Sequence, residues 1–255
     1  METKKRILFE IDKDICEKNY DQAIKTSKEG FKCFKDNCFL NKIVQIHQDT
    51  KNYKAAISVL KKMMKTEKDN EDLINRTAYF YFVSAKYKEA LKYYKLLLDN
   101  NPISSKYNFN VACSYDFLKD YKNALKYYKL ALDADSSNLS AMNNYAMVFY
   151  AIKQYDTAIS ILNRAISIAP SHPEAYHHMG VINREYIGDL EMSLLYLKKA
   201  FRLDSKYILN SYQVALTYKA MNDMTHAKEY VQKALKINPS YKPVIKLMKE
   251  LEKVC

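Results

Sequence analysis

The sequence predicts an all-α fold in which one unit of two helices is repeated about seven times. A small residue recurs at intervals of 33 to 35 positions: Ala23, Ala56, Ala90, Ala124, Ala158, Ser193 and Ala227. The peptides around two of these residues, Ala90 and Ala124, are almost the same: YKEALKYYKLLLD at 87–99 and YKNALKYYKLALD at 121–133. Only 3 glycines and 5 prolines occur in 255 residues, which is typical of helices joined by short turns. Together these observations indicate a helical solenoid in which each unit contacts its neighbours.

The same period sets the expected order of elements. Each interval holds two stripes of apolar residues at helical spacing, separated by a short polar stretch such as that around Asp120. The recurring small residue is expected where the two antiparallel helices approach most closely, because a large side chain would hold them apart. We therefore expect one domain over 1–255, with helix pairs at 4–36, 37–70, 71–104, 105–138, 139–172, 173–207 and 208–240 and a single helix at 241–255.

Prolines and one change of spacing refine this scheme. The prolines fall at expected helix ends, where a missing N–H costs little: Pro102, Pro170 and Pro239 after second helices, Pro173 and Pro243 at the start of the next ones. The step of 35 residues to Ser193 places one extra residue between Gly180 and Gly188. This insertion predicts a bulged helix or a longer turn in the sixth pair.

The last expected helix is amphipathic. Val244, Ile245, Met248 and Leu251 form its apolar side. Without a cap, the last pair of an array would expose its apolar stacking face to water. We therefore expect this helix to cap the array and the protein to end there without a second domain.

Composition argues against several classes of chemistry. Three separated glycines cannot form the clustered loops that let a backbone approach the phosphates of a nucleotide. The five histidines include one close pair, His177 and His178, and adjacent side chains on a helix point about 100° apart, which suits neither a metal nor an acid–base pair. We expect no enzyme activity, no cofactor and no metal site.

Charge and cysteine content bear on partners and compartment. The net charge is +12, but only five of the 41 basic residues are arginine, the residue that forks onto phosphates and stacks on bases. A dedicated nucleic-acid reader is therefore disfavoured. No apolar run is long enough for a signal peptide or a membrane span, and the five cysteines have no zinc-site spacing. We expect a cytoplasmic protein with reduced thiols.

The segment 139–172 carries a recognisable pattern: Met142, Tyr145-Ala146, Phe149, Tyr155, Ala158, Leu162, Ala165 and Pro170. This pattern resembles the tetratricopeptide repeat (TPR), and Gly180 beside Tyr176 supplies the glycine of that family in the next copy. The first two copies depart from it at Gly30, His47 and Met63. The resemblance implies a right-handed superhelical solenoid whose concave wall is formed by the first helix of each repeat, and a non-enzymatic scaffold or adaptor that binds a peptide or protein segment there.

Helical register places several large or polar residues on that expected concave wall, outside the core stripe. They are Asn75, Tyr79, Phe82, Phe109, Phe117, Asn143, Met147, Tyr150, His177, Arg184 and Tyr212. We expect the aromatic members to be apolar anchors and the polar ones to orient the backbone of a ligand. The clamp by which some family members grip a terminal carboxylate is absent, because its positions hold Asn75 and Tyr79, Phe109 and Cys113, and Asn143 and Met147.

Two other functions remain open from the sequence. One is binding of nucleic acid or another polyanion by outward lysines of the second helices: Lys92, Lys95, Lys126, Lys129, Lys198, Lys199 and Lys228. The other is self-association through the first two repeats, where Cys38 and Phe39 are expected to be poorly covered. The residues identify neither the partner nor the oligomeric state.

Overall fold

The computed structural model describes residues 2–253, so that Met1 and the last two residues of the helix expected at 241–255, Val254 and Cys255, lie outside the described part. Within it the fold is all-α, an array of helices without a strand. The helices are α1 (Glu2–Cys16), α2 (Tyr20–Phe34), α3 (Asn37–Asp49), α4 (Tyr53–Met63), α5 (Glu71–Val83), α6 (Tyr87–Asn100), α7 (Ser105–Phe117), α8 (Tyr121–Ala134), α9 (Leu139–Ala151), α10 (Tyr155–Ile168), α11 (Pro173–Ile182), α12 (Leu190–Leu203), α13 (Ile208–Ala220), α14 (Met224–Ile237) and α15 (Lys242–Glu252). Across residues 2–253, none of these helices combines the length and apolar character needed to cross a membrane.

The described residues fall into two compact units, one ending at Asn123 and the other beginning at Ala124, within α8. In the first unit each helix from α1 to α7 packs on the next. In the second unit the same is true from α9 to α15. This succession of neighbouring contacts is what a helical repeat solenoid requires, and it confirms the predicted fold class.

The periodic small residues have the steric role expected of them. Ala23, Ala56 and Ala90 are fully buried in the first unit, and Ala124, Ala158, Ser193 and Ala227 are fully buried in the second. Glycine replaces a larger residue for the same reason at Gly30, where an added Cβ would lie 2.5 Å from the Phe39 ring. Close approach between helices therefore depends on these positions.

The turns within the helix pairs also repeat. One residue in each turn has the left-handed backbone conformation, with φ between 55° and 79°: Lys18, Lys51, Ala85, Lys119, Lys153, Gly188 and Asn222. A side chain is strained in this conformation, and Gly188 is the one position of the seven that avoids the strain. The step from Lys153 to Gly188 is again 35 residues, so the insertion lies ahead of this turn.

The extra residue of the sixth pair is absorbed as a π-helical segment at Asn183–Ile187, directly after α11. The Asn183 carbonyl accepts from the Asp189 N–H at 3.0 Å, and the Asn183 side chain donates to the Met179 carbonyl at 2.8 Å. The predicted bulge is thus confirmed, as a widened helical turn rather than a longer loop.

Helix α15 packs on α14, where the expected capping helix belongs. Its buried residues are Val244, Leu247 and Leu251. The predicted apolar side was wrong in one respect: Leu247 is in the core, whereas Ile245 and Met248 are only partly buried. Spacings of three and four residues from Val244 keep the stripe on one face, which excludes Ile245.

Candidate ligand-binding surface

The first unit presents an aromatic cluster where α5 and α7 end and α6 begins. The Phe82 and Phe117 rings lie 5.2 Å apart edge to face, and Tyr87 stacks on Phe117 at 4.8 Å. Phe82 and Tyr87 close the triangle at 5.4 Å. Phe117 remains 58% exposed despite these contacts. Of this trio, Phe82, Tyr87 and Phe117, the first two are half-buried, and the Phe117 ring leaves an apolar face in water.

A small cleft lies next to that trio. It has a volume of about 160 Å³ and is lined by Tyr79, Phe82, Tyr94, Phe109, Asn110 and Cys113. Tyr79 is 49% exposed, while burial raises the pKa of the Tyr94 hydroxyl above its ordinary value. Asn75, also on α5, is half-buried and does not line the cleft. The predicted residues Tyr79, Phe82 and Phe109 thus share one apolar depression.

The second unit has an equivalent trio, formed by Tyr150, Tyr155 and Tyr186. The Tyr150 and Tyr155 rings lie 5.4 Å apart, and Tyr155 stacks on Tyr186 at 3.8 Å. Tyr186 is 48% exposed. These residues follow the first trio by 68, 68 and 69 positions, two repeats along the chain. The offset between Phe117 and Tyr186 is 69 rather than 68 because the π-helical segment contains one added residue.

Within this second trio, the Tyr150 hydroxyl donates to Glu185 Oε2 at 2.7 Å. Burial and this hydrogen bond together raise the pKa of Tyr150 to about 12. The hydrogen bond to Glu185 uses the proton of the hydroxyl and orients the Tyr150 ring. Two other predicted residues, Met147 on α9 and Tyr212 on α13, are half-buried, and the Tyr212 ring contacts Tyr241 at 6.3 Å.

Sequence reasoning missed Tyr87, Tyr155 and Tyr186. Tyr87 and Tyr155 belong to the series of tyrosines three residues before the periodic alanine. An aromatic residue that recurs at this position is typical of packing within the repeat, so neither was predicted to bind a ligand. Tyr186 lies in the irregular segment, whose register is hidden by the insertion. The signal available in the sequence was that each aromatic residue of the first trio has an aromatic counterpart two repeats later.

The polar residues expected to orient a ligand are largely committed to neighbouring helices. Asn143 is 1% exposed and donates to Glu174 Oε2 at 3.0 Å, while its own Oδ1 is buried without a hydrogen-bond partner among the described residues. The Arg184 guanidinium donates to the Gln213 side chain at 2.7 Å and to Thr217 Oγ1 at 3.1 Å. These contacts join the end of the α11 segment to α13.

His177 is likewise mostly buried, at 7% exposure, with its Nδ1 2.8 Å from Asn210 Oδ1. Burial lowers the pKa of its ring, and the nearby Arg184 adds to this effect, while the Asn210 hydrogen bond and Glu174 oppose it. His177 lines a pocket of about 210 Å³ at the start of α11. The other lining residues are His172, Pro173, Glu174, Asp204, Tyr207 and Asn210.

The lysines of the second helices are partly engaged by rings. The ammonium groups of Lys61, Lys95 and Lys198 lie 5.4, 5.2 and 5.0 Å from the ring centroids of Tyr81, Tyr115 and Tyr218. Each pair is separated by 20 residues, so this cation–π contact from a second helix to the next first helix recurs in register. Lys126 and Lys199 make cation–π contacts outside this register, Lys126 with its neighbour Tyr127 at 5.4 Å and Lys199 with Tyr176 of the preceding helix at 5.9 Å. Four of the seven lysines expected to bind a polyanion thus already contact tyrosines.

The first two repeats, expected to mediate self-association, do not leave Phe39 poorly covered. Phe39 is fully buried against the α1–α2 pair and stacks on Phe34 at 5.8 Å, so the expectation that it is poorly covered was wrong. Gly30 leaves the space that the Phe39 ring fills.

Across residues 2–253, no group of three or more histidine, cysteine, aspartate or glutamate side chains is arranged to hold a metal ion.

Comparisons with known proteins agree on the fold. Residues 118–179 and 211–241 each match the tetratricopeptide repeat family. A tetratricopeptide repeat protein from Parabacteroides merdae has a similar structure with a TM-score of 0.80 at 16% identity, covering 99% of this chain and 100% of that one. No curated protein matches the chain.

Two further solved structures are similar over part of the chain. A thermophilic TPR protein of Thermus thermophilus gives a TM-score of 0.64 at 18% identity, covering 72% of this chain and 99% of that one. Pseudomonas aeruginosa PilF gives 0.62 at 20% identity, covering 72% of this chain and 83% of that one. At these identities the likeness is one of fold.

Proposed function

Because the chain is a tetratricopeptide repeat protein, we propose that it is a non-enzymatic interaction protein that binds a segment of another protein on the first helices of its repeats. The observation that supports this most directly is the pair of equivalent aromatic trios, each with one half-exposed ring, Phe117 or Tyr186. Exposed aromatic rings supported by other rings are typical anchors of protein interfaces, since burying them releases much apolar surface from water at a small cost in side-chain entropy.

The chemistry of the first trio favours an apolar side chain of the partner. Tyr79, Phe82 and Phe109 line a cleft beside Phe117, and none of them carries a charge. An apolar side chain of the bound segment would fill this cleft and cover the exposed face of Phe117. In the second unit, the Tyr186 ring, stacked on Tyr155, offers a similar half-exposed face.

A random peptide library displayed on phage tests this proposal directly. Selected peptides are measured by fluorescence anisotropy against the wild type and the double variant Phe117→Lys/Tyr186→Lys. A charge in the centre of an apolar contact weakens binding by at least about tenfold, so we expect a loss of that size.

The matched control is Ile103→Lys/Leu195→Lys. It adds the same charges at exposed apolar positions, one in each unit, away from the trios. Both variants must keep the circular dichroism spectrum of the wild type. Peptides that bind all three proteins equally, or a selection that yields no peptide, would reject the proposal.

Polyanion binding by the lysines of the second helices is the alternative that the sequence left open. It would appear as nucleic-acid affinity that falls steeply with added salt. The ring contacts of Lys95, Lys126, Lys198 and Lys199 weigh against it, because a lysine that moves to a phosphate gives up its cation–π contact.

A further inference from the structure

The pocket at the start of α11 is built from acidic and neutral groups. It lies between the first turn of α11 and the segment that joins α12 to α13, and it holds about 210 Å³. Glu174 and Asp204 line it, and no lysine or arginine is among its lining residues. On a chain with a net charge of +12, such a concentration of acceptors is distinctive.

The hydrogen bonds of Asn210 fix the tautomer of His177. The Asn210 amide nitrogen donates to the carbonyls of Ala200 at 3.2 Å and Asp204 at 3.0 Å, so its Oδ1 is an acceptor. His177 Nδ1, 2.8 Å from that oxygen, must therefore carry the hydrogen. Burial lowers the pKa of His177, which favours the neutral ring, and the Nε2 of that neutral ring keeps a lone pair.

The two carboxylates have acceptor capacity left over. Glu174 Oε2 accepts from Asn143, and Asp204 Oδ1 accepts from the N–H groups of Lys206 and Tyr207. Within residues 2–253, Glu174 Oε1 and Asp204 Oδ2 receive no donor and neither carboxylate forms a salt bridge. His172, which also lines the pocket, has a buried Nδ1 that forms no hydrogen bond with any described residue.

Nearby cations do not satisfy these acceptors. The Arg184 guanidinium influences His177 electrostatically, but its hydrogen bonds go to Gln213, Thr217 and Glu185. Tyr207 forms one wall and is 44% exposed. Its pKa is raised by burial and by the negative charges of Glu174 and Asp204, in keeping with an electronegative pocket.

We infer that this pocket receives the cationic end of a lysine or arginine side chain from the bound protein segment, with Glu174 and Asp204 as its counter-charges. The alkyl stem or the cation packs against the exposed face of Tyr207, and His177 Nε2 adds a neutral acceptor. The identity of the occupant rests on the proposed function, whereas the preference of the pocket for a cation does not.

Small probes test that preference without any peptide. The probes are n-butylammonium and n-propylguanidinium, which reproduce the ends of the two side chains, and n-butanol is the neutral control. We expect the cations, and not the alcohol, to shift the ring-nitrogen resonances of His172 and His177 in a saturable way, measured by NMR on the full chain.

The variant Glu174→Gln/Asp204→Asn removes both charges but keeps oxygens that can accept the hydrogen bonds from Asn143 and from the Lys206 and Tyr207 N–H groups. We expect it to bind the cations at least about tenfold more weakly. The matched control Asp156→Asn/Glu191→Gln makes the same chemical changes at exposed first-turn positions of α10 and α12 and should bind as the wild type does. Equal shifts from cations and alcohol, no shift at all, or unchanged affinity in the pocket variant would overturn the inference.

Peptide selection separates this inference from the proposed function. Selection on the wild type should enrich a basic residue at a fixed position, and selection on Glu174→Gln/Asp204→Asn should lose that enrichment. Peptides that depend on Phe117 and Tyr186 but show no basic preference would overturn the inference and leave the proposed function standing. Binding of n-butylammonium without any selected peptide would reject the proposed function and, with it, the bound segment as occupant.

Discussion

Tyr155 stacks on Tyr186 with ring centroids 3.8 Å apart across 31 residues of sequence, whereas the equivalent pair, Tyr87 and Phe117, stacks at 4.8 Å across 30. The π-helical segment Asn183–Ile187 holds the additional residue. The contact between the tyrosine that begins a second helix and the aromatic residue of the next repeat is therefore kept despite the insertion. Preservation of this pair supports a role for both rings beyond filling space.

Replacing Tyr186 by alanine should lower the free energy of unfolding by more than about 0.5–1.5 kcal/mol, because an aromatic pair contributes that much beyond the apolar area it buries and the half-buried ring is lost as well. Tyr186→Phe should be close to neutral, because the stack needs the ring and no described hydrogen bond uses the hydroxyl. Urea denaturation followed by circular dichroism measures both. If phenylalanine costs as much as alanine, the hydroxyl rather than the stack stabilises this region.

Gly180→Ala should be destabilising because its Cβ would lie 2.4 Å from Leu197 Cγ and 3.1 Å from the Ser193 carbonyl oxygen. Overpacking of this kind costs about 1–3 kcal/mol. The double variant Gly180→Ala/Leu197→Ala should lose less stability than the two single variants added together, because the second change removes the clash. Additive losses in a thermal unfolding cycle would contradict the contact.

Gly188→Ala should be destabilising for a different reason. An added Cβ there meets no atom within 4 Å, but φ is +79°. The left-handed conformation costs a side chain about 1–2 kcal/mol, and the smaller entropy of the unfolded alanine chain returns about 0.4–1 kcal/mol. A loss of about 1 kcal/mol in urea denaturation, unchanged when Leu197 is also shortened, would distinguish this backbone effect from the clash at Gly180.

Stability should decline as the pH falls from about 7 to about 5, partly through His177. Burial lowers the pKa of this ring in the folded protein, so the unfolded chain binds a proton more readily. The contribution is complete above the ordinary histidine pKa of about 6.5 and is lost as the pH falls below it. Burial also lowers the pKa of His178, so the two histidines act in the same direction.

The variant that isolates this effect is His177→Asn, since Asn143 occupies the equivalent position one repeat earlier. We expect its free energy of unfolding to fall less steeply than that of the wild type between about pH 7 and about pH 5. Urea titrations at fixed ionic strength measure the difference. Parallel curves would mean that His177 is as easily protonated in the folded protein as in the unfolded chain.

The repeating scaffold could be predicted because it depends on spacing within one repeat. The buried alanine column and the insertion before Gly188 are both visible as intervals in the sequence. Arg184 and Asn143 were harder, because the groups that engage them, Gln213 and Glu174, lie in the following repeat. The polar side chains of Arg184 and Asn143 suggested a surface available to a ligand, whereas in the structure they form hydrogen bonds between neighbouring repeats.

The acidic pocket was beyond sequence reasoning for a related reason. Glu174 and His177 come from α11, while Asp204 and Tyr207 come from the connection after α12. Their proximity depends on how that connection folds back. The neutral tautomer of His177 depends on an amide, Asn210, whose two donors are already used by backbone carbonyls. Only a structure reveals such a chain of hydrogen bonds.

The left-handed turn residues offer a route to engineering a more stable protein. Six of the seven carry a side chain, and four of these are lysines: Lys18, Lys51, Lys119 and Lys153. Each strained residue costs about 1–2 kcal/mol, which exceeds the roughly 0.4–1 kcal/mol that glycine loses to the flexibility of the unfolded chain. The seven residues lie in separate turns, one in each helix pair, so the small gains from glycine substitutions should accumulate from repeat to repeat.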